Sequence, residues 1–261
     1  MCYDIIMDKK FKVGYIRTLL SIGRVSLGGW MQIPSPEIAE IMSKVKFDWV
    51  AVDMEHGSIG IDQLPNIFRA MELNNMLPVA RIANESQAVR AMEVGAAGII
   101  VPNIESAEDV EKIYSSIQYP PRGKRGVGYN RGNCYGVNFN NDLDDDPLLV
   151  GMIESQNAVN NIDEILDTGK LDAVLIGPYD LTASFKMTGQ FDSPFIKGVV
   201  KQIKESCNRK NVAVGIHVIQ PDMSKLKEVV EEGYTFIPYA TDGTLLSHGL
   251  DNISNNDETF L

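Results

Sequence analysis

The chain has 261 residues, 44% of them hydrophobic and 23% charged, a composition that supports one sizeable globular core. Its net charge of −11 at pH 7 leaves no basic surplus to neutralise phosphates, which excludes nucleic acid as a partner while leaving room for a small anion at a local cationic cluster. No apolar run is long enough to span a bilayer, and Cys2, Cys134 and Cys207 form no CxxC pair; neither a membrane anchor, a disulfide framework nor a zinc site is expected.

The N-terminal stretch MCYDIIMDKKFKVG lacks a long apolar core and a small-residue cleavage site, so no signal peptide and a cytoplasmic location are expected. Residues 1–24 read as a lead-in with a helix over 11–21. SLGGWMQ (26–32) reads as a strand, and Ser35-Pro36 opens a helix. FDWVAVD (47–53) is a strand, 61–73 a helix, LPVARI (77–82) a strand, and 86–95 a helix ended by Gly95. AGIIVP (97–102) is a strand, followed by a helix over 106–117 that starts with a capping box from Ser106 to Asp109. After a long loop at 118–147 come LLVGMIE (148–154), a helix over 157–167, LDAVLIG (171–177) and a helix over 194–209. VAVGIHV (212–218), a helix over 222–232, TFIPYA (235–240) and a short helix near 243–253 complete the pattern.

Eight apolar runs, each followed by a helical segment, predict a single α/β domain over 1–261, a (β/α)8 TIM barrel of the usual size of about 250 residues. The runs are continuously apolar, as strands buried on both faces are. No GxGxxG follows the first strand, which weighs against a dinucleotide-binding open sheet. The basic, glycine-rich loop at 118–147 reads as a solvated connection or a subunit contact in preference to a phosphate-binding lid. Its DLDDD (142–146) lacks the later glutamate of a calcium loop and reads as solvated surface. The polar tail 252–261 is expected to fray.

Active sites of such barrels lie at the C-terminal ends of the strands. There the sequence places Asp53, Glu55 and His56, then Arg81, Asn103, Glu154, Gly177-Pro178-Tyr179-Asp180 and His217. Taken singly, an acid here reads equally well as a helix cap, Arg81 has a second reading as a structural ion-pair partner and His56 as a helix-entry residue; their convergence on one rim from separate strands reads as a site. Glu154 and Asp180 supply hard oxygens for a divalent metal, Mg, Mn or Co, with positions left for a ligand. Arg81 suits a carboxylate or a developing enolate oxygen. His56 is the natural general acid/base, and Glu93 is assigned to orient it. The backbone of Gly177-Pro178-Tyr179 is placed against the substrate, with the Tyr179 amide as a carboxylate donor. Strand six, LDAVLIG, holds no lysine, so a metal-held enolate is preferred over a Schiff base.

FDWVAVDMEHG, PVARI, GAAGIIVPNIESAEDV, YPPRGKRGVG, MIES and LIGPYDL resemble, in order and spacing, the HpcH/HpaI family of class II pyruvate aldolases. The resemblance runs over about 26–246. It implies metal-dependent, reversible cleavage of 4-hydroxy-2-oxo acids to pyruvate and an aldehyde, with Glu154 and Asp180 as metal ligands and Arg81 at the pyruvate enolate. It also implies that His56 moves the C4 hydroxyl proton, with a partner acid at Glu93, where the family carries Asp. His217, where aliphatic residues can occur, and Trp30 are assigned to the aldehyde pocket. A homo-oligomer, a trimer of dimers with exchanged C-terminal helices, is the family's assembly. Two other outcomes stay open: an enolate-forming decarboxylase or carbon–carbon bond-forming enzyme of the same superfamily, and a barrel that only binds a carboxylate ligand.

Overall fold

A computed structural model describes residues 2–137 and 146–254, with side chains described for 9–137 and 146–251. The eight strands are β1 (Ser26–Met31), β2 (Trp49–Asp53), β3 (Leu77–Arg81), β4 (Gly98–Val101), β5 (Leu148–Ile153), β6 (Ala173–Ile176), β7 (Ala213–Ile216) and β8 (Phe236–Thr241). They pair in chain order, all parallel, and β8 closes on β1. The expected (β/α)8 barrel is the fold observed. No helix among the described residues is long and apolar enough to cross a membrane.

The period-two alternation of each strand builds two cores. Trp49 and Ala51 of β2, Leu77 and Val79 of β3, and Leu148, Val150 and Met152 of β5 fill the barrel interior. Their neighbours Val50, Val52, Ala80, Leu149 and Ile153 face the surrounding helices. Trp49 stacks on Phe236 with ring centroids 4.5 Å apart. Gly28 of β1 permits this, because a Cβ there would overlap the Trp49 indole.

The outer helices are α2 (Pro36–Met42), α3 (Leu64–Leu73), α4 (Glu85–Glu93), α5 (Ala107–Ile117), α6 (Gln156–Asn160), α7 (Ile162–Asp167), α8 (Pro178–Ser184), α9 (Pro194–Lys210), α10 (Met223–Glu231) and α11 (Asp242–Ser254). The capping box that opens α5 forms as expected, with Ser106 and Asp109 each serving the other's backbone. The helix expected over 157–167 is instead two, broken at Asn161. The helix expected from 61 starts at Leu64, with Pro65 in its first turn.

Two helices differ more from the sequence reading. The helix expected at 11–21 is α1 (Cys2–Ser21), twenty residues long. It closes the bottom of the barrel: Val13 and Ile16 belong to the interior core beside Trp49, Leu77 and Leu148. Its cations reach the surrounding loops, Lys9 to the Gly95 carbonyl and Glu72, and Arg17 to Asp172 and Asp146. The second is α8, which was not anticipated. It begins directly after β6 and carries Asp180 in its first turn.

The described part of the long loop, 118–137, contains a cis Pro120–Pro121 bond and a 3-10 turn at Cys134–Gly136. Its cations are engaged with the chain's own acids: Arg125 with Glu93, Arg131 with Glu72, Arg122 with Asp146. The loop thus packs on the barrel wall as a connection. Residues 142–145 of the acidic run and 255–261 of the tail lie outside the described residues, as does the Cys2 side chain.

Candidate active site

The strand alternation that fills the barrel interior also aims the site. Continuing inward positions by twos from Trp49 and Ala51 gives Asp53. From Leu77 and Val79 it gives Arg81, from Val150 and Met152 it gives Glu154, and from Ala213 and Gly215 it gives His217. These four therefore sit on the topmost interior layer, and the mouth of the barrel inherits their charges.

Asp53, fully buried, is the acceptor on which this layer is assembled. It receives Arg81 Nε at 2.9 Å and Arg81 Nη2 at 2.6 Å, Trp30 Nε1 at 3.1 Å and Gln32 Nε2 at 2.8 Å. The backbone amides of Glu55 and His56 donate to it at 3.0 and 3.1 Å. Burial opposes ionisation of Asp53, but the bonds and charge of Arg81, with Gln32 and the His56 amide, outweigh it and hold the carboxyl well below the usual carboxylate range. The sequence places Asp53 at this rim but gives it no role, and the alternation of Gln32 with Trp30 is the one signal that marks Gln32 as inward.

Arg81 is buried, with its guanidinium 5.1 Å from the Trp30 ring centroid. Its third nitrogen, Nη1, holds Glu55 at 2.8 Å. Burial raises the Glu55 carboxyl, the charges of Arg81 and His56 pull it back, and those of Asp53 and Asp180 push it up further. His56 is exposed at the rim, placed there by the turn that Asp53 caps.

Glu154 is buried and accepts the Asn103 amide on Oε1 at 2.7 Å. Asn103 adopts a left-handed φ of 53° to present that amide. Burial chiefly, then repulsion from Asp180 and Glu55, pushes the Glu154 carboxyl up to about 7, against the Asn103 amide and Arg81. Gly177 caps α8 without a side chain. A Cβ on it would lie 2.9 Å from Glu154 Cβ and overlap Oε2, so glycine is what lets the carboxylate occupy its place.

Trp30 and His217 are brought together, with ring centroids 4.8 Å apart. Glu93 is not brought to His56. It ends α4, and α4 runs back from the catalytic rim to the opposite end of the barrel, just before β4. There its carboxylate holds Arg125 at 3.0 Å and its carbonyl accepts the Gly132 amide. A His56–Glu93 pair does not form within one chain.

The acids suit a cation. The Asp180 charge raises both Glu55 and Glu154, Glu55 raises Glu154 as well, and Arg81 is already matched by Asp53 and Glu55. Among the described residues no group of three or more His, Cys, Asp or Glu side chains forms a complete cage. Two acids would thus leave coordination positions to water and substrate.

Residues 27–249 match the model of the HpcH/HpaI aldolase/citrate lyase family. The hydroxypyruvate/pyruvate aldolase of Rhizorhabdus wittichii is 30% identical over 237 residues, covering 89% of this chain and 94% of the relative. The 2-keto-3-deoxy-L-rhamnonate aldolase of Escherichia coli is 29% identical, covering 88% and 87%. The crystal structure of a HpcH/HpaI aldolase/citrate lyase family protein from Burkholderia cenocepacia J2315 superposes with a TM-score of 0.86 at 23% identity, covering 94% of this chain and 99% of that one. With its barrel, its matched span and these relatives, the chain belongs to the HpcH/HpaI aldolase/citrate lyase family.

Proposed function

We propose that the protein is a metal-dependent aldolase that reversibly cleaves a 4-hydroxy-2-oxo acid into pyruvate and an aldehyde. The observation that carries this reading is the juxtaposition of a fixed guanidinium, Arg81, with the acids Glu55 and Glu154, both raised by burial and by the Asp180 charge. Such a mouth binds a 2-oxo acid through its oxygens and favours the negative charge that develops when the bond breaks.

Glu154 and Asp180 would hold the cation, Mg, Mn or Co. The bound cation supplies Lewis-acid polarisation of the 2-oxo acid. Arg81, locked by Asp53, presents positive charge to the oxygen at C2 without reorganising. The first turn of α8 begins at a glycine cap with no side-chain acceptor, which leaves the Tyr179 amide to the substrate carboxylate. In cleavage, His56 takes the proton of the C4 hydroxyl and the C3–C4 bond breaks. Its electron pair becomes the pyruvate enolate, which is then protonated at C3, while C4 leaves as the aldehyde.

The test is pyruvate release from 4-hydroxy-2-oxo acids, with and without EDTA. Turnover that resists EDTA, or that survives Glu154→Gln, would sink the reading. Binding of pyruvate with no turnover of any 2-oxo acid would favour a carboxylate-binding barrel.

The same reading includes a homo-oligomer in the cytoplasm. Leu245, Leu246 and Leu250 of α11 are exposed, a pattern suited to burial against a second copy, and Cys134 and Cys207 are buried and form no disulfide. Light scattering of Leu246→Glu checks the assembly; an unchanged mass would remove α11 from it.

A further inference from the structure

Asp53, Glu55, Arg81, Glu154 and Asp180 lie on or just after β2 through β6, and Asp242, just past β8, is buried and engaged by the Gln32, Ile33 and Gly243 amides. On the remaining arc, β7, β8 and β1, His217 packs on Trp30, and Trp30 and Gln32 both reach Asp53. If the acids and Arg81 take the pyruvate end, this arc is the wall left for the aldehyde. What it offers decides which aldehydes fit.

His217 sits in a seam. Within their spans, β7 and β8 pair at one register position, Gly215 with Phe236. They meet again at the isolated bridge between Val218 and Tyr239. Around it the ladder is irregular: Ala240 adopts a left-handed φ of 55°, and the register of β1 against β8 shifts between Gly29 and Trp30. The His217 ring fills the opening, against Trp30 on one side and with Nε2 3.4 Å from the Ala240 carbonyl on the other.

That carbonyl can only accept, so Nε2 carries the hydrogen and Nδ1 is the bare lone pair. Burial is the main reason the ring stays neutral. With the Arg81 charge it outweighs the Ala240 carbonyl and Asp53 and lowers the His217 pKa to about 4. Nδ1 has no hydrogen-bond partner among the described residues, and it is not sealed from solvent. An acceptor of fixed tautomer, held by a stack and a hydrogen bond and left open at a site mouth, is built to receive a donor.

Resting on the aldolase reading, we propose that His217 accepts a hydrogen bond from a hydroxyl of the aldehyde, and that the chain prefers hydroxylated aldehydes to alkyl aldehydes. A lone pair fixed in place rewards a donor, and an alkyl group there leaves it unsatisfied.

The test is aldol addition at saturating pyruvate and Mg, comparing glycolaldehyde with acetaldehyde. His217→Leu should lower kcat/KM for glycolaldehyde by about 10- to 100-fold, mainly through KM, and change that for acetaldehyde by less than about threefold. His217→Gln, which keeps an acceptor, should recover most of the loss. An equal fall for both aldehydes, or an unchanged ratio in a variant of unchanged Tm, would overturn the proposal. Exchange of the pyruvate methyl protons in D2O separates this from the parent reading. Equal exchange in wild type and His217→Leu shows the enolate half intact, whereas no exchange in the wild type refutes the aldolase reading and the His217 proposal with it.

Discussion

Asp53 and Arg81 are register partners on β2 and β3, and their side chains join in a two-pronged ion pair, 2.9 and 2.6 Å long, inside the barrel. The sheet hydrogen bonds align the two backbones, so the fork needs little further ordering when it forms. Removing one partner of a buried pair strands the other. Asp53→Ala should cost about 3–5 kcal/mol in urea unfolding. Arg81→Lys keeps the charge but cannot fill both oxygens. It should cost less stability than Asp53→Ala while still lowering kcat.

Gly177 lies against Glu154. Gly177→Ala should push the carboxylate aside and weaken Mn binding by about 10- to 100-fold, as displaced ligand-orienting groups do. Calorimetric titration with Mn reads this directly. Affinity within about twofold of wild type would show that Glu154 is not a ligand, or that it can move without cost.

The raised Glu154 carboxyl links stability to pH. Its folded value, about 7, exceeds the usual 4.5, so the metal-free folded state binds the proton more tightly than the unfolded chain does. The associated stability is fully present below pH 4.5 and is lost as pH rises through about 7, to a total of roughly 3 kcal/mol. Metal-free Tm should therefore fall between pH 5 and 8, added Mg should restore it at the alkaline end, and Glu154→Gln should flatten the curve. A metal-free Tm that rises over this window after correction with Glu154→Gln would contradict the assignment.

His56 divides the reaction into halves. His56→Ala should lower cleavage of 4-hydroxy-2-oxo acids by about 100- to 10,000-fold, the usual range for a lost acid/base group. Oxaloacetate decarboxylation needs no C4 hydroxyl proton moved and should persist within a fewfold. Loss of both activities together would place His56 in binding instead.

The alternation of apolar runs made the barrel legible, because each strand is buried on both faces and each is short. The same alternation carried Arg81, Glu154 and His217 to their places: a residue two positions past an inward side chain is inward as well. What could not be read was pairing between strands. Besides the amides of its own turn, Asp53 collects side-chain donors from β1 and β3, and nothing local to VDMEHG reveals those. Glu93 shows the opposite failure. Its place within a family motif suggested an intrachain partner for His56, but α4 carries it to the far end of the barrel, where Arg125 holds it. Only the second half of α1, 11–21, was legible, because the helix has no clean polar face; it lies across the barrel bottom, with its cations spread to loops on several sides.

That bottom helix has a consequence for the order in which the protein assembles. The residues that receive α1, from Glu72 and Gly95 to Leu148 and Asp172, are all made after it. During synthesis the helix waits while more than half of the barrel leaves the ribosome, on the order of 10 s at ordinary elongation rates. Until then Val13 and Ile16 have no seat, and the lower ends of Trp49 and Leu77 have no cover. The chain therefore makes its stopper before the barrel that it closes, and α1 has its full set of partners only once the β5–β6 connection has been made.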